Sequence, residues 1–142
     1  MHLAIASERA TFGQSEIRLA MPPSYGGTQR LPRLVGRKRA LELLLTGDNF
    51  TPAHALQIGL VNAVVPHDQL LPSARELAGR IIRHALPAVA ATITATTRGL
   101  NMGIAEGLQA ESEQFAAVMP MPELRDGLAT WMGRKANGGT HT

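Results

Sequence analysis

Two neighbouring stretches decide how this chain is read: Phe12-Gly13-Gln14-Ser15-Glu16-Ile17, and Pro22-Pro23-Ser24-Tyr25-Gly26-Gly27-Thr28-Gln29-Arg30-Leu31-Pro32-Arg33. Two prolines followed by two glycines cannot sit inside a regular element, so residues 21–27 read as a turn-rich stop. A carboxylate between Gly13 and that stop is displayed on a loop rather than buried in a helix. On spacing alone, Glu16 is a surface acid near a turn. From Thr28 the pattern becomes helical, with Leu31, Leu34, Val35, Leu41, Leu44 and Leu45 recurring near helical spacing. Pro32 and Gly36 interrupt it. The spacing predicts a short helix to about residue 35 and a second over 37–45.

Working outward, residues 5–12 are β-branched and small, which suits one or two strand pieces. Downstream, Thr46-Gly47-Asp48 ends the second helix. Thr51-Pro52 is a helix start, with a hydroxyl cap and then proline at the first helical position. Gly59 supplies the left-handed stop. Residues 60–65 are apolar and β-branched, which predicts a strand that Pro66 halts. Asp68 is expected to cap a helix reaching about His84, with Pro72 in its first turn or marking its start. Pro87 opens another helix. Residues 104–118 put Leu108, Phe115 and Val118 on an amphipathic stripe. Met119-Pro120-Met121-Pro122 breaks it, and a last helix over 123–133 bears Trp131. Residues 136–142 are expected to be disordered. The strands are too few to complete a sheet, and the chain reads as mostly helical with a few short strands.

Composition narrows the function classes. The 142 residues amount to about one domain. Aromatics are only 4%, so the core must come from Leu, Ile, Val, Ala and Met. Cysteine is absent, which excludes disulfides, thiol nucleophiles and thiolate metal sites. His2, His54, His67, His84 and His141 do not pair with another histidine or an acid at metal-ligand spacing on one helix face. Gly26-Gly27-Thr28 lacks the lysine and spacing of a phosphate loop. There is no Gly-x-Ser-x-Gly elbow, and no histidine stands out as a base for Ser24. Net charge is +3, with mixed signs. Arg30, Arg33, Arg37, Lys38 and Arg39 form the most basic stripe. Without interleaved aromatics it reads as a solvated helix face ahead of a nucleic-acid surface. No apolar run reaches membrane-spanning length, and the first residues lack a signal-peptide pattern. A cytoplasmic protein with no membrane or nucleic-acid partner is the expectation.

With Leu45-Thr46-Gly47-Asp48, and Ala55 through Gly59-Leu60-Val61-Asn62, the opening stretches resemble the crotonase (enoyl-CoA hydratase/isomerase) family. The resemblance covers residues 3–135 and matches the C-terminal half of the family pattern. It implies an α/β, crotonase-like fold and an acyl-CoA thioester substrate. CoA is then part of the substrate, and no separate cofactor or metal is called for. In such enzymes two backbone N–H groups hold the thioester carbonyl and stabilise an enolate-like oxyanion. Glutamates move the protons or activate water. By resemblance Glu16 is the second of two hydratase glutamates, and Ser24, Tyr25 and Gly26 lie along the substrate. Trp131 stands where phenylalanine is frequent, and Arg134-Lys135 where Lys-Arg is. That implies CoA contacts across a subunit boundary, beside the plainer readings of Trp131 as a core or interface aromatic and Arg134 as surface charge. The basic stripe gains a third reading, attraction of a polyanionic ligand such as CoA.

Three further departures stand inside the match. Ser15 replaces a common proline, Ser24 a common glycine, and Ile93 a frequent lysine. A positive φ at Ser24 would cost strain. The resemblance puts the oxyanion donors, the other glutamate and most of the sheet, including the N-terminal ββα core, before residue 1. It divides the chain into the end of the core with the Glu16 loop (1–66) and a helical oligomerisation and CoA-covering region (67–135). Trimers or dimers of trimers are expected. The implied function is hydration of a 2-enoyl-CoA, with double-bond isomerisation as runner-up. A truncated relative that binds acyl-CoA or docks onto full-length partners is the non-catalytic alternative. A reading frame whose true start lies further upstream is the third.

Overall fold

Two three-residue strands hold the first part of the chain. In the computed structural model, which describes residues 2–136 with side chains as far as Gly133, β1 (Ile5–Ser7) pairs in parallel with β2 (Ala63–Val65). The register sets Ile5 opposite Ala63 and Ser7 opposite Val65. The second strand is shorter than residues 60–65 suggested, for a hydrogen-bonding reason. The N–H groups of Leu60 and Val61 are both drawn to the Ala55 carbonyl, at 2.8 and 3.4 Å. They close a helix end and leave only the last three residues for the ladder. Asn62 extends the pairing by one step: its N–H reaches Ala4 O at 2.7 Å, and its side-chain oxygen accepts from Ala4 N at 2.8 Å. The second upstream strand piece is a single antiparallel bridge between Phe12 and Phe50.

Three helices lie between the strands: α1 (Gly27–Val35), α2 (Arg37–Thr46) and α3 (Pro52–Gln57). Gly36 separates the first two at φ +84, a conformation that a side chain would strain. Thr51 caps α3 as its sequence implies, its Oγ1 accepting from His54 N at 3.2 Å. Gly59 follows α3 at φ +78. The α1–α2 hairpin buries Leu31, Val35, Ala40, Leu43 and Leu44 against Ile58. A second cluster of Ala6, Ala55 and Val61 sits at the strands. Phe50 and Leu60 pack against both and join them. The five residues of the basic stripe are exposed on α1 and α2. Arg33 spends part of its hydrogen-bonding capacity on Gln29, one turn back, at 2.8 Å to the carbonyl and 3.2 Å to Oε1.

The remaining elements are α4 (Leu70–Ile82), α5 (Leu86–Gly99), α6 (Ile104–Val118) and α7 (Pro122–Ala136). The chain divides into two compact units between Leu77 and Ala78. Asp68 does not cap α4. It lies in a 3-10 turn, His67–Gln69, and α4 begins one residue later with Pro72 in its first turn. In the second unit α5 and α6 approach on small residues. A Cβ on Gly107 would lie 3.4 Å from Gly99 O, and Ala110 is the buried residue of α6. Close glycine contact turns the larger side chains outward, so Leu108 and Phe115 of the expected stripe are 54% and 62% exposed. Residues 137–142, most of the expected disordered tail, lie outside the described residues. Among the described residues, no helix is long and apolar enough to cross a membrane.

Candidate active site around Glu16

The site is assembled from Phe12 forward. Phe12 exchanges both backbone hydrogen bonds with Phe50, at 3.1 and 2.8 Å, and their rings stack at 5.6 Å between centroids. This fixes the start of the segment that carries Glu16. Gly13 follows, exposed, and a Cβ there would meet Asn49 Oδ1, the tip of an exposed side chain that can turn aside. Gln14 comes next, and with its amide assigned in the orientation that satisfies both groups, its nitrogen donates to both carboxylate oxygens of Glu16, at 3.2 and 3.3 Å. Glu16 is half-buried and opens a single 3-10 turn, Glu16–Leu19. The sequence reading placed this carboxylate on a loop, and the chain instead gives it one turn of helix. The turn closes at Ala20, φ +56, whose N–H reaches Ile17 O at 3.1 Å, while Met21 N reaches Glu16 O at 3.3 Å.

The end of α2 meets this turn. Gly47 is buried at φ +66, its N–H bonded to Leu43 O at 3.0 Å. A Cβ at Gly47 would lie 2.8 Å from Ile17 Cγ2, closer than side chains pack. The next residue, Asp48, accepts from Arg18 Nη2 at 2.7 Å. Both partners are more than half exposed, so this ion pair contributes about 0.2–1 kcal/mol. The Leu45-Thr46-Gly47-Asp48 motif therefore acts through where it sits. It abuts the turn that begins with Glu16.

On the other side lies the Pro22–Gly27 turn. Tyr25 at φ +52 and Gly26 at φ +85 are consecutive left-handed residues, and Gly27 N closes the turn on Ser24 O at 3.1 Å. The expected strain at Ser24 is thus misplaced by one residue. Ser24 is outside the positive-φ region and Tyr25 carries it, at about 1–3 kcal/mol. The Tyr25 side chain is 97% exposed. Gly26 O then accepts from Gln29 N and Arg30 N at 3.1 and 2.8 Å, which starts α1. A Cβ on Gly27 would lie 3.1 Å from the Gln14 amide and 3.2 Å from Pro23 Cβ. Gln14 is therefore the link: it touches the Glu16 carboxylate on one side and the glycine turn on the other. Sequence reasoning quoted Gln14 inside its motif without giving it a role. A side-chain amide two residues from an acid was the available signal.

Trp131 and Arg134 lie on α7 in the second unit, three residues apart and so on neighbouring positions of one face. Trp131 is 47% exposed. The Arg134 side chain lies outside the described residues. A further contact escaped the sequence entirely: the hydroxyl of buried Ser7 lies 3.2 Å from His67 Nδ1 and also accepts from Arg9 N at 3.1 Å. Only the parallel pairing of β1 with β2 brings residues 7 and 67 together.

Residues 2–137 match the family described as enoyl-CoA hydratase/isomerase. A crotonyl-CoA hydratase of Syntrophomonas wolfei is 39% identical over 134 residues, covering 94% of this chain and 52% of the relative. A short-chain-enoyl-CoA hydratase of Clostridium acetobutylicum is 38% identical, covering 94% and 51%. Among solved structures, an enoyl-CoA hydratase from Bacillus anthracis superposes with a TM-score of 0.88 at 36% identity, over 93% of this chain and 51% of its own. The chain thus spans about half the length of these relatives. The turn bearing Glu16, the glycine turn beside it and the helix end behind it all fall within the matched residues, and the chain belongs to the enoyl-CoA hydratase/isomerase family.

Proposed function

We propose that the chain serves an enoyl-CoA hydratase, adding water across the 2,3 double bond of an enoyl thioester, with Glu16 as acid/base. The observation that carries this reading is the Glu16 carboxylate. It is half-buried at the head of a turn, oriented by the Gln14 amide beside a glycine turn, in a chain akin to proteins named as hydratases. The carboxylate accepts a proton from water as the water oxygen bonds to C3, the electron pair moves to the thioester oxygen, and a proton is returned to C2. An ionised carboxylate has about four acceptor positions, so the Gln14 contact leaves room for water. Backbone N–H donors on the thioester oxygen supply the electrostatic part, about 10²–10³ in rate for each donor. In the family pattern that the chain resembles, these donors and a second glutamate lie in the half that the present residues do not match.

In this reading Ser24 and Gly26 border the acyl end of the substrate, and exposed Tyr25 offers it a ring. Trp131 and Arg134 contact CoA bound largely by a neighbouring subunit, in a trimer or dimer of trimers. The outward apolar residues of α5 and α6 support assembly, Leu86 and Ile104 being 64% and 83% exposed. Residues 1–66 then hold the Glu16 part of the core, and 67–135 the assembly region, in a cytoplasmic enzyme. The single carboxylate identified at this turn favours isomerisation as the second reading, since one carboxylate can carry a proton between C2 and C4. The native protein is to be given crotonyl-CoA and a 3-enoyl-CoA. Hydration of the first is expected, and conversion of only the second would favour the isomerase. Glu16→Gln is expected to lower turnover by about 10²-fold or more while acyl-CoA binding stays within a few-fold. Equal turnover in the variant and the native protein would remove Glu16 from the chemistry.

A further inference from the structure

We propose that Gly47 is a positioning residue for the Glu16 carboxylate. By lacking a side chain at the buried end of α2, it lets the Cγ2 methyl of partly exposed Ile17 approach there and so fixes where the 3-10 turn stands. The inference rests on the reading of Glu16 as acid/base. Its grounds are steric. A Cβ at Gly47 would approach Ile17 Cγ2 to 2.8 Å and Arg18 Cγ to 3.4 Å. Ile17 Cγ2 is bonded directly to Cβ of a β-branched side chain, whose χ1 is stiff. It cannot swing aside like the tip of a long chain, so the backbone of the turn has to yield. That backbone has few ways to yield without moving Glu16. Arg18 is held to Asp48 at 2.7 Å, Glu16 to Gln14 at 3.2 and 3.3 Å, and Ile17 lies between. Two consecutive residues of the helix end thus meet two consecutive residues of the turn, directly after the carboxylate. The ion pair is exposed on both sides, so the seat at Gly47 is the part that sets position. A displacement of about 1 Å at a reacting group can cost about 10²-fold in rate.

Gly47→Ala also strains the backbone at φ +66, and that strain does not depend on Ile17. Ile17→Ala removes Cγ2 and hence the collision, while leaving the strain. The test therefore compares the native protein with Gly47→Ala, Ile17→Ala and the double variant. The readouts are kcat and KM for crotonyl-CoA hydration and the NMR signals of the Gln14 side-chain amide. Gly47→Ala is expected to lower kcat by about 10–100-fold with KM within about twofold, and to shift the Gln14 amide signals. The double variant is expected to recover both towards the values of Ile17→Ala alone, although its thermal midpoint stays lowered by the strain. Unchanged kcat in Gly47→Ala, or a double variant as slow as the single one, would overturn the proposal. Glu16→Gln is measured alongside. Full turnover there would overturn the reading of Glu16 instead, and the Gln14 signals would then decide on the seat alone. If they do not move in Gly47→Ala, the seat is refuted as well.

Discussion

Leu44 and Leu45 are adjacent on α2 and identical in chemistry, yet Leu44 is 6% exposed and Leu45 is 65% exposed. Changing each to alanine removes three carbon groups. At about 0.8 kcal/mol for each buried methylene-sized group, Leu44→Ala loses about 2.4 kcal/mol of transfer free energy. The cavity left between Leu31, Val35 and Ile58 adds to this, for a total of about 3 kcal/mol, inside the usual range for buried leucines. At Leu45 only about a third of the side chain is covered, so the same change should cost about 0.8 kcal/mol. A unit of this size has a stability on the order of 4–11 kcal/mol, and Leu44→Ala would remove a large share of it. Urea denaturation followed by helix circular dichroism measures both values. The slope should stay unchanged, and amide exchange over α2 should speed up far more in Leu44→Ala. Equal losses at the two positions would refute the reasoning, because α2 would then be buried on both faces.

Two further expectations use the same logic on smaller features. Thr51→Ala should cost about 1 kcal/mol by removing the acceptor for His54 N, while Thr51→Ser should stay within a few tenths; urea midpoints of the two variants check this. Gly13→Ala should stay within about 0.5 kcal/mol, because the Asn49 amide that a Cβ would meet is the tip of an exposed side chain and can turn into solvent, as thermal midpoints would show.

Much of the fold could be read from local chemistry. Thr51-Pro52 and Gly59 bracket α3 because a cap, a fixed φ and a left-handed stop are properties of single residues. Gly36 separates α1 from α2 for the same reason. The contacts that escaped need information from far along the chain. Four residues at Glu16–Leu19 are too few to show periodicity, so a helical turn read as a loop. Ser7 finds His67 only after β1 and β2 pair. Leu108 and Phe115 keep the helical period that the sequence shows, while the contact of α6 with α5 is made at Gly107 against Gly99, which the period alone does not mark. At the candidate site the sequence pointed to Glu16 through its motif. The roles of Gln14 and Gly47 come from where their neighbours fall in space, and the left-handed residue at the glycine turn is Tyr25 rather than Ser24.

Three pairings of the first unit are nested along the chain, which bears on how it folds. Arg18 and Asp48 are 30 positions apart. Phe12 and Phe50 lie just outside that pair, and Ala4 and Asn62, 58 positions apart, outside both. Bringing residues 4 and 62 together in one step means closing the whole intervening chain. If the innermost contact forms first, each later one closes only the short flanks left over, and loop-closure entropy grows with the logarithm of the length closed. The turn bearing Glu16 belongs to the innermost ring. On entropy alone its contacts are cheaper to close than the two-stranded ladder, whose parallel pairing joins the ends of the longer segment.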